Sequence, residues 1–302
     1  MTPSPAVRRR TGFSLIELLV VIVLMGIVMA AVYRVITRQQ RFYVGVNEVM
    51  SQRSQLRQAT AVLPLELRNV SSAGGDFVAI SDSVLQMRVQ VGTSIVCSIS
   101  ASLGYVDLPP MNLAAGNTLT AFTTAPRAGD EAFIYDDGTV LGNADDSWLR
   151  RELTSVNSPS TCIGAPYTQS ADDAKARYRL NFSPTLPTSV LVGAPVRIMR
   201  NVRYSLYTAT DGQAYLGYQD YNGSAWSSME VVAGPYDATN GVQFLFYAEN
   251  GSQITAVPST PPVARVDLAV RGTTARAINV EGIAKGNYAD SLAVSVAIRN
   301  RQ

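Results

Sequence analysis

Apolar residues run almost without interruption from Phe13 to Tyr33, and this 21-residue segment contains a single acid, Glu17. At about 1.5 Å of rise per residue, a helix of this length measures about 31 Å, which matches the hydrocarbon thickness of a bilayer. A carboxylate at that depth is energetically costly and is by default a functional group that requires a partner. The pattern therefore predicts a membrane-spanning helix with a functional carboxylate near its beginning.

The helical pattern continues beyond the apolar segment. Between Pro5 and Pro64 the chain has no proline, and apolar residues recur every three, four or seven positions among polar ones. These apolar positions are Phe42, Val46, Val49, Leu56, Ala59 and Leu63. We expect one helix to extend to Leu63, about 75 Å from Phe13, with its apolar face packed against the protein's own globular part.

After Pro64 the pattern changes to short runs of Val, Ile, Leu, Tyr and Thr separated by Gly, Pro, Asn and Asp, which is typical of strands and turns. The clearest predicted strands are residues 84–91, 132–135, 196–207, 242–247, 265–270 and 292–298. Residues 257–263, with three prolines, are expected to form a loop. The predicted fold class is α+β, with a long N-terminal helix packed on a large antiparallel β-rich domain that is one unit or two smaller subdomains.

The junction before the apolar segment carries a recognisable motif. Three arginines precede it, and the segment from Gly12 to Ile22 reads GFSLIELLVVI. This string resembles the N-termini of type IV prepilins and type II secretion pseudopilins. The resemblance implies cleavage by a prepilin peptidase after Gly12, N-methylation of Phe13, and assembly through Glu17. An unprocessed signal anchor is the alternative, but it would require neither Gly12 nor Glu17.

Charge alone leaves the membrane orientation open, because Arg8, Arg9 and Arg10 before the span are balanced by Arg34, Arg38 and Arg41 after it. The resemblance implies a cytoplasmic leader and an exported C-terminal part. We therefore expect a leader at residues 1–12, a transmembrane helix at 13–33, a helix extension at 34–64 and an exported β-rich globular domain at 65–302, in a single-pass inner-membrane protein.

The distal sequence resembles PilW-type minor pilins and the related GspJ-type pseudopilins at residues 202–207, 241–247, 264–271 and 297–300. This resemblance implies a minor pilin that primes a type IV pilus-like filament or lies at its tip. A type II secretion pseudopilin remains an alternative, and so does an adhesin or DNA-uptake module displayed on the filament. The implied partners are the prepilin peptidase, other major and minor pilins, the inner-membrane assembly platform and membrane lipid.

Both cysteines, Cys97 and Cys162, lie in the part expected to be exported. If they pair, they close a loop of roughly 65 residues, which stabilises the fold by about 4 kcal/mol in the chain-entropy model. The alternative is two separately buried thiols. An oxidising compartment favours the disulfide.

The residue inventory argues against an enzyme, a metal site and a cofactor. The chain has no histidine, which excludes Ser-His-Asp and Cys-His catalytic sites and histidine-based metalloprotease motifs, and makes zinc improbable. Acidic pairs at 136–137, 145–146 and 172–173 are expected to be solvated turn residues. Residues 136–146 could alternatively ligate calcium, but they do not have EF-hand spacing.

Nucleic acid binding lacks a basic track. The chain has 25 basic and 23 acidic side chains, and removal of the three leader arginines leaves 22 basic side chains, a net charge of −1. The densest distal basic group is Arg197, Arg200 and Arg203, which do not all share one face of their predicted strand. A phosphate-tracking protein needs a clustered basic surface, so the sequence supports no nucleic acid contact.

Overall fold

The structure, a computed structural model, describes residue 12 and residues 14–140, 142–158, 162, 166–278 and 286–299. Phe13 and most of the expected leader lie outside the described residues. The chain divides into two compact units, Met1–Gln52 with Thr274–Tyr288 and Arg53–Thr273 with Ala289–Gln302. The sequence predicts a domain boundary at residues 64/65, where the helix was expected to end. The division between the two units falls between Gln52 and Arg53, within the helix.

One long helix, α1, covers Leu15–Leu67. The strands are β1 Phe77–Ile80, β2 Val84–Ile95, β3 Ser98–Ser100, β4 Tyr105–Asp107, β5 Ala121–Phe122, β6 Glu131–Asp136, β7 Ser147–Asn157, β8 Arg179–Ser183, β9 Pro195–Thr208, β10 Ala214–Asp220, β11 Glu230–Tyr236, β12 Val242–Tyr247, β13 Gln253–Ile254, β14 Arg265–Thr273 and β15 Ala289–Ala297. A 3-10 turn covers Ser170–Asp172.

The end of α1 lies beyond the expected position. Pro64 is inside the helix, which ends at Leu67. Proline lacks an N–H and therefore removes one backbone hydrogen bond, but its carbonyl still accepts the N–H of Arg68 at 3.3 Å. Leu63 and Leu67 are fully buried on either side of the proline. Tertiary packing of these leucines therefore holds the last helical turn in place.

Two antiparallel sheets form the described β structure. The larger sheet has eleven strands. Eight follow the order β1-β2-β9-β6-β7-β8-β4-β3, and off this path β5 pairs with β2, β10 pairs with β9, and β11 pairs with β10. Four strands form the second sheet in the order β13-β12-β14-β15. Five of the six predicted strand segments lie wholly within strands, and the sixth, 292–298, extends one residue past the end of β15; residues 257–263 form a loop as expected. The predicted α+β class is confirmed.

A shared hydrophobic core joins the last turns of α1 to both sheets. Leu56, Ala59 and Leu63 on the helix pack with residues of β2, β9, β12 and β14, such as Met87 and Phe244. A separate core lies on the same face of the large sheet, among β2, β6, β7, β8 and β9. The second unit of the chain therefore contains the end of the helix as part of its core.

The predicted apolar face of the helix is buried only toward its C-terminal end. Leu56, Ala59 and Leu63 are buried, and Val46 and Val49 are half-buried. Phe42 is 66% exposed, so the expectation that the whole face packs within the chain is wrong at this position. The periodicity of apolar residues could not distinguish a buried face from one that remains accessible.

Candidate assembly site

The acid of the apolar segment lies in the first turn of α1. Ser14 precedes the helix, and its side-chain oxygen accepts the backbone N–H of Glu17 at 3.2 Å. The sequence Ser-Leu-Ile-Glu at 14–17 has the spacing of a capping box, a helix-start signal that the sequence analysis did not use. The positive end of the helix dipole also favours a carboxylate at this position. The backbone N–H of Glu17 is therefore capped by Ser14, while its carboxylate makes no hydrogen bond to the helix start among the described residues.

The surroundings of Glu17 are open. Gly12, Ser14 and Glu17 are all exposed, and no hydrogen bond or ion pair of the Glu17 carboxylate is found among the described residues. Phe13, the expected site of cleavage and methylation, lies outside the described residues. The chain thus presents a carboxylate beside the predicted junction, with its acceptor oxygens accessible to a second molecule.

Bulky apolar side chains surround this carboxylate along the helix. Within the described chain, α1 is the one helix that is long and apolar enough to cross a membrane, and none of its most apolar window is buried. Leu15 is 83% exposed and Ile22 is 62% exposed. Exposed apolar surface on this scale requires a lipid or protein environment.

The two cysteines lie next to each other in the second unit. Cys97 and Cys162 are positioned as a bonded pair, with Cα atoms 5.7 Å apart and 65 residues apart in sequence. Both are buried, and Tyr167 packs against them while its hydroxyl donates to the carbonyl of Val96. The pair connects the end of β2 to the long connection between β7 and β8.

The acidic segment at 136–146 is organised as a turn. The carboxylate of Asp145 accepts the N–H groups of Thr139 and Val140 at 2.7 and 3.1 Å, and Asp146 accepts the hydroxyl of Tyr135. These hydrogen bonds hold the pKa of Asp145 below its usual value. No group of three or more candidate metal ligands occurs among the described residues, and Leu141 of this segment is outside them. The carboxylate of Asp145 thus binds the local backbone, and that of Asp146 binds the side chain of Tyr135.

Ion pairs neutralise several arginines of the large sheet. Arg88 and Arg150 both donate to Glu131 at 2.7 Å, and Arg200 donates to the fully buried Asp130 at 2.7 Å. Arg203 donates to Gln219 and covers the ring of Trp226. The burial of Arg200 agrees with the prediction that the three β9 arginines do not form one basic face. Sequence spacing could not identify these acid partners, because Glu131 on β6 and Asp130 just before it are distant in sequence from the arginines of β2 and β9.

A partly buried carboxyl lies near the other end of α1. The hydroxyl of Tyr204 on β9 donates to the carboxylate of Glu66 at 2.6 Å. Burial raises the pKa of Glu66, and the hydrogen bond from Tyr204 opposes that change in part. Burial next to this carboxylate also raises the pKa of Tyr204, and burial raises that of Tyr218 to about 12. No local pattern in the sequence indicates this contact, because its partners are 138 residues apart.

Comparison with known proteins bears on the N-terminal segment alone. The family model described as the prokaryotic N-terminal methylation motif matches residues 7–33. Searches of curated proteins and of solved structures return no match to the chain. The matched residues contain Gly12, Phe13 and Glu17, and the exposed apolar part of α1 begins among them. The chain thus carries the N-terminal methylation motif of the type IV prepilin-like proteins, and it is a membrane-anchored, prepilin-like protein with an exported pilin-like domain.

Proposed function

We propose that this protein is a minor pilin subunit that assembles through its N-terminal helix into a type IV pilus-like filament, in a priming or tip position. The observation that carries the proposal is the exposed carboxylate of Glu17 in the first turn of an exposed apolar helix. Cleavage after Gly12 would create a free amine on Phe13, which the peptidase complex or a later enzyme would methylate. Pairing of that amine in one subunit with Glu17 of the next makes both charges tolerable in lipid and sets the axial register.

The proposal includes a set of partners and a location. The prepilin peptidase acts at Gly12, other major and minor pilins pack along the apolar helix, and the assembly platform of the inner membrane receives the processed subunit. Membrane lipid surrounds residues 13–33 before assembly. Cys97 and Cys162 form their disulfide after export, and thiol alkylation of the denatured, unreduced protein would reveal any unpaired thiol.

A pseudopilin of type II secretion has the same anchor chemistry and differs in the machine that it serves. Secretion-channel genes beside the coding sequence would favour the pseudopilin, and pilus genes would favour the minor pilin. The DNA-uptake alternative gains no support from the large sheet, because its buried arginines are paired with acids.

The experiment compares Glu17→Ala and Glu17→Gln with the wild type in membranes that contain the complete set of pilin subunits. We expect both variants to insert and to lose their leader normally, while their recovery with other pilin-like subunits falls by at least about tenfold, a change of 1.4 kcal/mol in association. Glu17→Gln is informative because glutamine still fits a capping box but carries no charge.

The matched control is Ser14→Ala, which removes the helix cap and leaves the charge. Loss of an N-cap destabilises a helix start by about 1 kcal/mol, so Ser14→Ala should leave assembly close to wild type if charge pairing is decisive. A loss in Ser14→Ala equal to that in Glu17→Ala, with near-normal recovery of Glu17→Gln, would assign the effect to the helix start and not to the charge. Normal recovery of both Glu17 variants would refute the assembly role.

A further inference from the structure

The four-stranded sheet ends at β15, the last strand in the described chain. β15 pairs with β14 in an unbroken antiparallel register of nine residue pairs, from Arg265↔Ala297 to Thr273↔Ala289. No other described strand or helix pairs with β15. In an edge strand, every second residue directs its N–H and C=O groups away from the sheet. β15 therefore presents about 30 Å of regular, unpaired backbone.

The other edges of the described sheets are short or irregular. β1 has four residues with a register shift, β3 has three residues, and β5 and β13 have two each. β11 is longer, but its pairing with β10 shifts register twice, and it contains Pro235. Short edges, bulges and prolines are the devices by which proteins prevent edge-to-edge association. These devices protect every described edge except that of β15.

The side chains of β15 also lack protective charges. The strand contains no lysine, arginine or proline, and its one charged residue, Asp290, is paired with Arg53 at 3.1 Å. The solvent-facing side chains are small and exposed: Ala289, Ser291, Ala293, Ser295 and Ala297. An unprotected edge of this length is a template for another strand.

We propose that β15 is an assembly strand that pairs, by β-strand addition, with an open edge strand of a different subunit of the same filament. This inference rests on the proposed filament function. Backbone hydrogen bonds supply the attraction, and the small outer side chains allow the two strands to approach without steric conflict. Anchored subunits share one membrane surface, which raises the effective concentration of the exported partner strand.

A different subunit fits this edge better than a second copy of the chain. Antiparallel pairing of β15 with its own copy requires a two-fold axis along the sheet normal, which reverses every direction in the plane of the sheet. The end of α1 packs on the face of the sheets through Leu56 and Leu63, so its direction would also be reversed in the second copy. Two copies whose α1 ends run in the same direction, as subunits of a filament with one polarity do, cannot adopt that arrangement. Pairing of β15 with another edge of a second copy would require one of the protected edges.

The first test is site-specific photo-crosslinking in the full-length protein, with a benzophenone amino acid at position 291 or 295 of β15. In membranes with the complete pilin set, we expect both probes to crosslink another protein that carries a prepilin motif. The crosslinked site on that protein should move by about four residues between the two probes, because residues of paired strands advance together. A probe at Val231 on the protected edge β11 should give no such series.

Three results would overturn the inference. They are the absence of adducts, adducts at scattered sites without a register, and adducts between two copies of β15. Ala293→Cys detects the last directly, because antiparallel self-pairing centred on this residue would place two introduced thiols opposite each other. A disulfide-linked dimer of this variant would establish a homodimer and reject pairing with a different subunit.

The second test protects the edge in the manner of natural proteins. Ser291→Lys/Ser295→Lys places two lysines on β15, and Ser228→Lys/Val231→Lys makes the same charge change at exposed positions beside and on β11. We expect recovery with the partner subunit to fall by at least about tenfold for the first double variant, a change of 1.4 kcal/mol, and to stay near wild type for the second. Equal recovery of both variants would reject the role of β15.

Two parallel measurements distinguish failure of the β15 proposal from failure of the filament function. They are leader removal and the dependence on Glu17 of recovery with other pilin-like subunits. If these remain normal while the β15 variants have no effect, the assembly strand fails and the filament function stands. If the wild type does not associate with any pilin-like subunit, the filament function itself fails.

Discussion

The two ends of α1 have opposite surroundings although one uninterrupted helix contains both. From Leu15 to Ile36, almost every large apolar side chain is about half exposed or more. From Leu56 to Leu67, the helix places leucines in a core shared with two sheets. Apolar composition therefore has two meanings in one element: near the N-terminus it matches a membrane or a neighbouring subunit, and near the C-terminus it stabilises the exported fold.

The difference also separates two kinds of acid. Glu17 is exposed at the helix start, where the dipole favours a carboxylate, while Glu66 is partly buried at the helix end, where burial disfavours its charge. Position relative to the core thus determines whether a carboxylate on this helix is available to a partner or committed to the fold. Substitutions in the two regions should accordingly affect different measurements.

The largest expected effect follows substitution of the residue before the predicted cleavage junction. Gly12→Leu should abolish leader removal, because the peptidase would meet a bulky side chain in place of the smallest residue. Gly12 is exposed and has open space around it, so the larger side chain should not disturb the fold itself. Mass spectrometry of the membrane protein would show the retained leader, while the unfolding transition of the exported domain should be unchanged. An unchanged N-terminus in this variant would refute the assignment of the junction.

The next prediction compares how much the two ends of the helix contribute to the free energy of unfolding. Leu63→Ala removes a fully buried side chain and should lower the free energy of unfolding of the exported domain by about 2–5 kcal/mol. The matched substitution Ile22→Ala, at a side chain that is 62% exposed, should leave it unchanged. Denaturant unfolding of the full chain in detergent, followed by near-ultraviolet circular dichroism, measures both. Equal losses would mean that the N-terminal part also packs within the chain.

A smaller effect is expected from Glu66→Gln, and it depends on pH. Burial raises the pKa of Glu66 in the folded state, so the folded protein binds a proton more tightly than the unfolded chain does. The contribution of Glu66 to stability is therefore present below its unfolded pKa and is lost as the pH rises through the folded pKa. Glutamine keeps an acceptor for Tyr204 without the charge, so the variant should be more stable than wild type at neutral pH and should lose this pH dependence. Unfolding measured from pH 4 to pH 8 tests the expectation, and an equal or lower stability at pH 8 would contradict it.

Much of the local structure could be predicted because it depends on neighbouring residues. The helix pattern, the six strands and the loop at 257–263 follow from side-chain periodicity and from proline and glycine positions. The end of α1 could not be predicted in this way, because the local effect of Pro64 is outweighed by the burial of Leu63 and Leu67. The exposure of Phe42 was also missed, since periodicity identifies an apolar face but not the surface that covers it.

The candidate site shows the same division. By itself the sequence determined the methylation motif, the apolar anchor and the position of Glu17, because these features lie within a few helical turns and act through local chemistry. Only the tertiary structure decided that Arg88 and Arg200 are paired with acids, that Glu66 contacts Tyr204, and that β15 is an unprotected edge. These features depend on contacts between residues that are distant in sequence, and the folded core alone determines which strands become neighbours and which strand remains last.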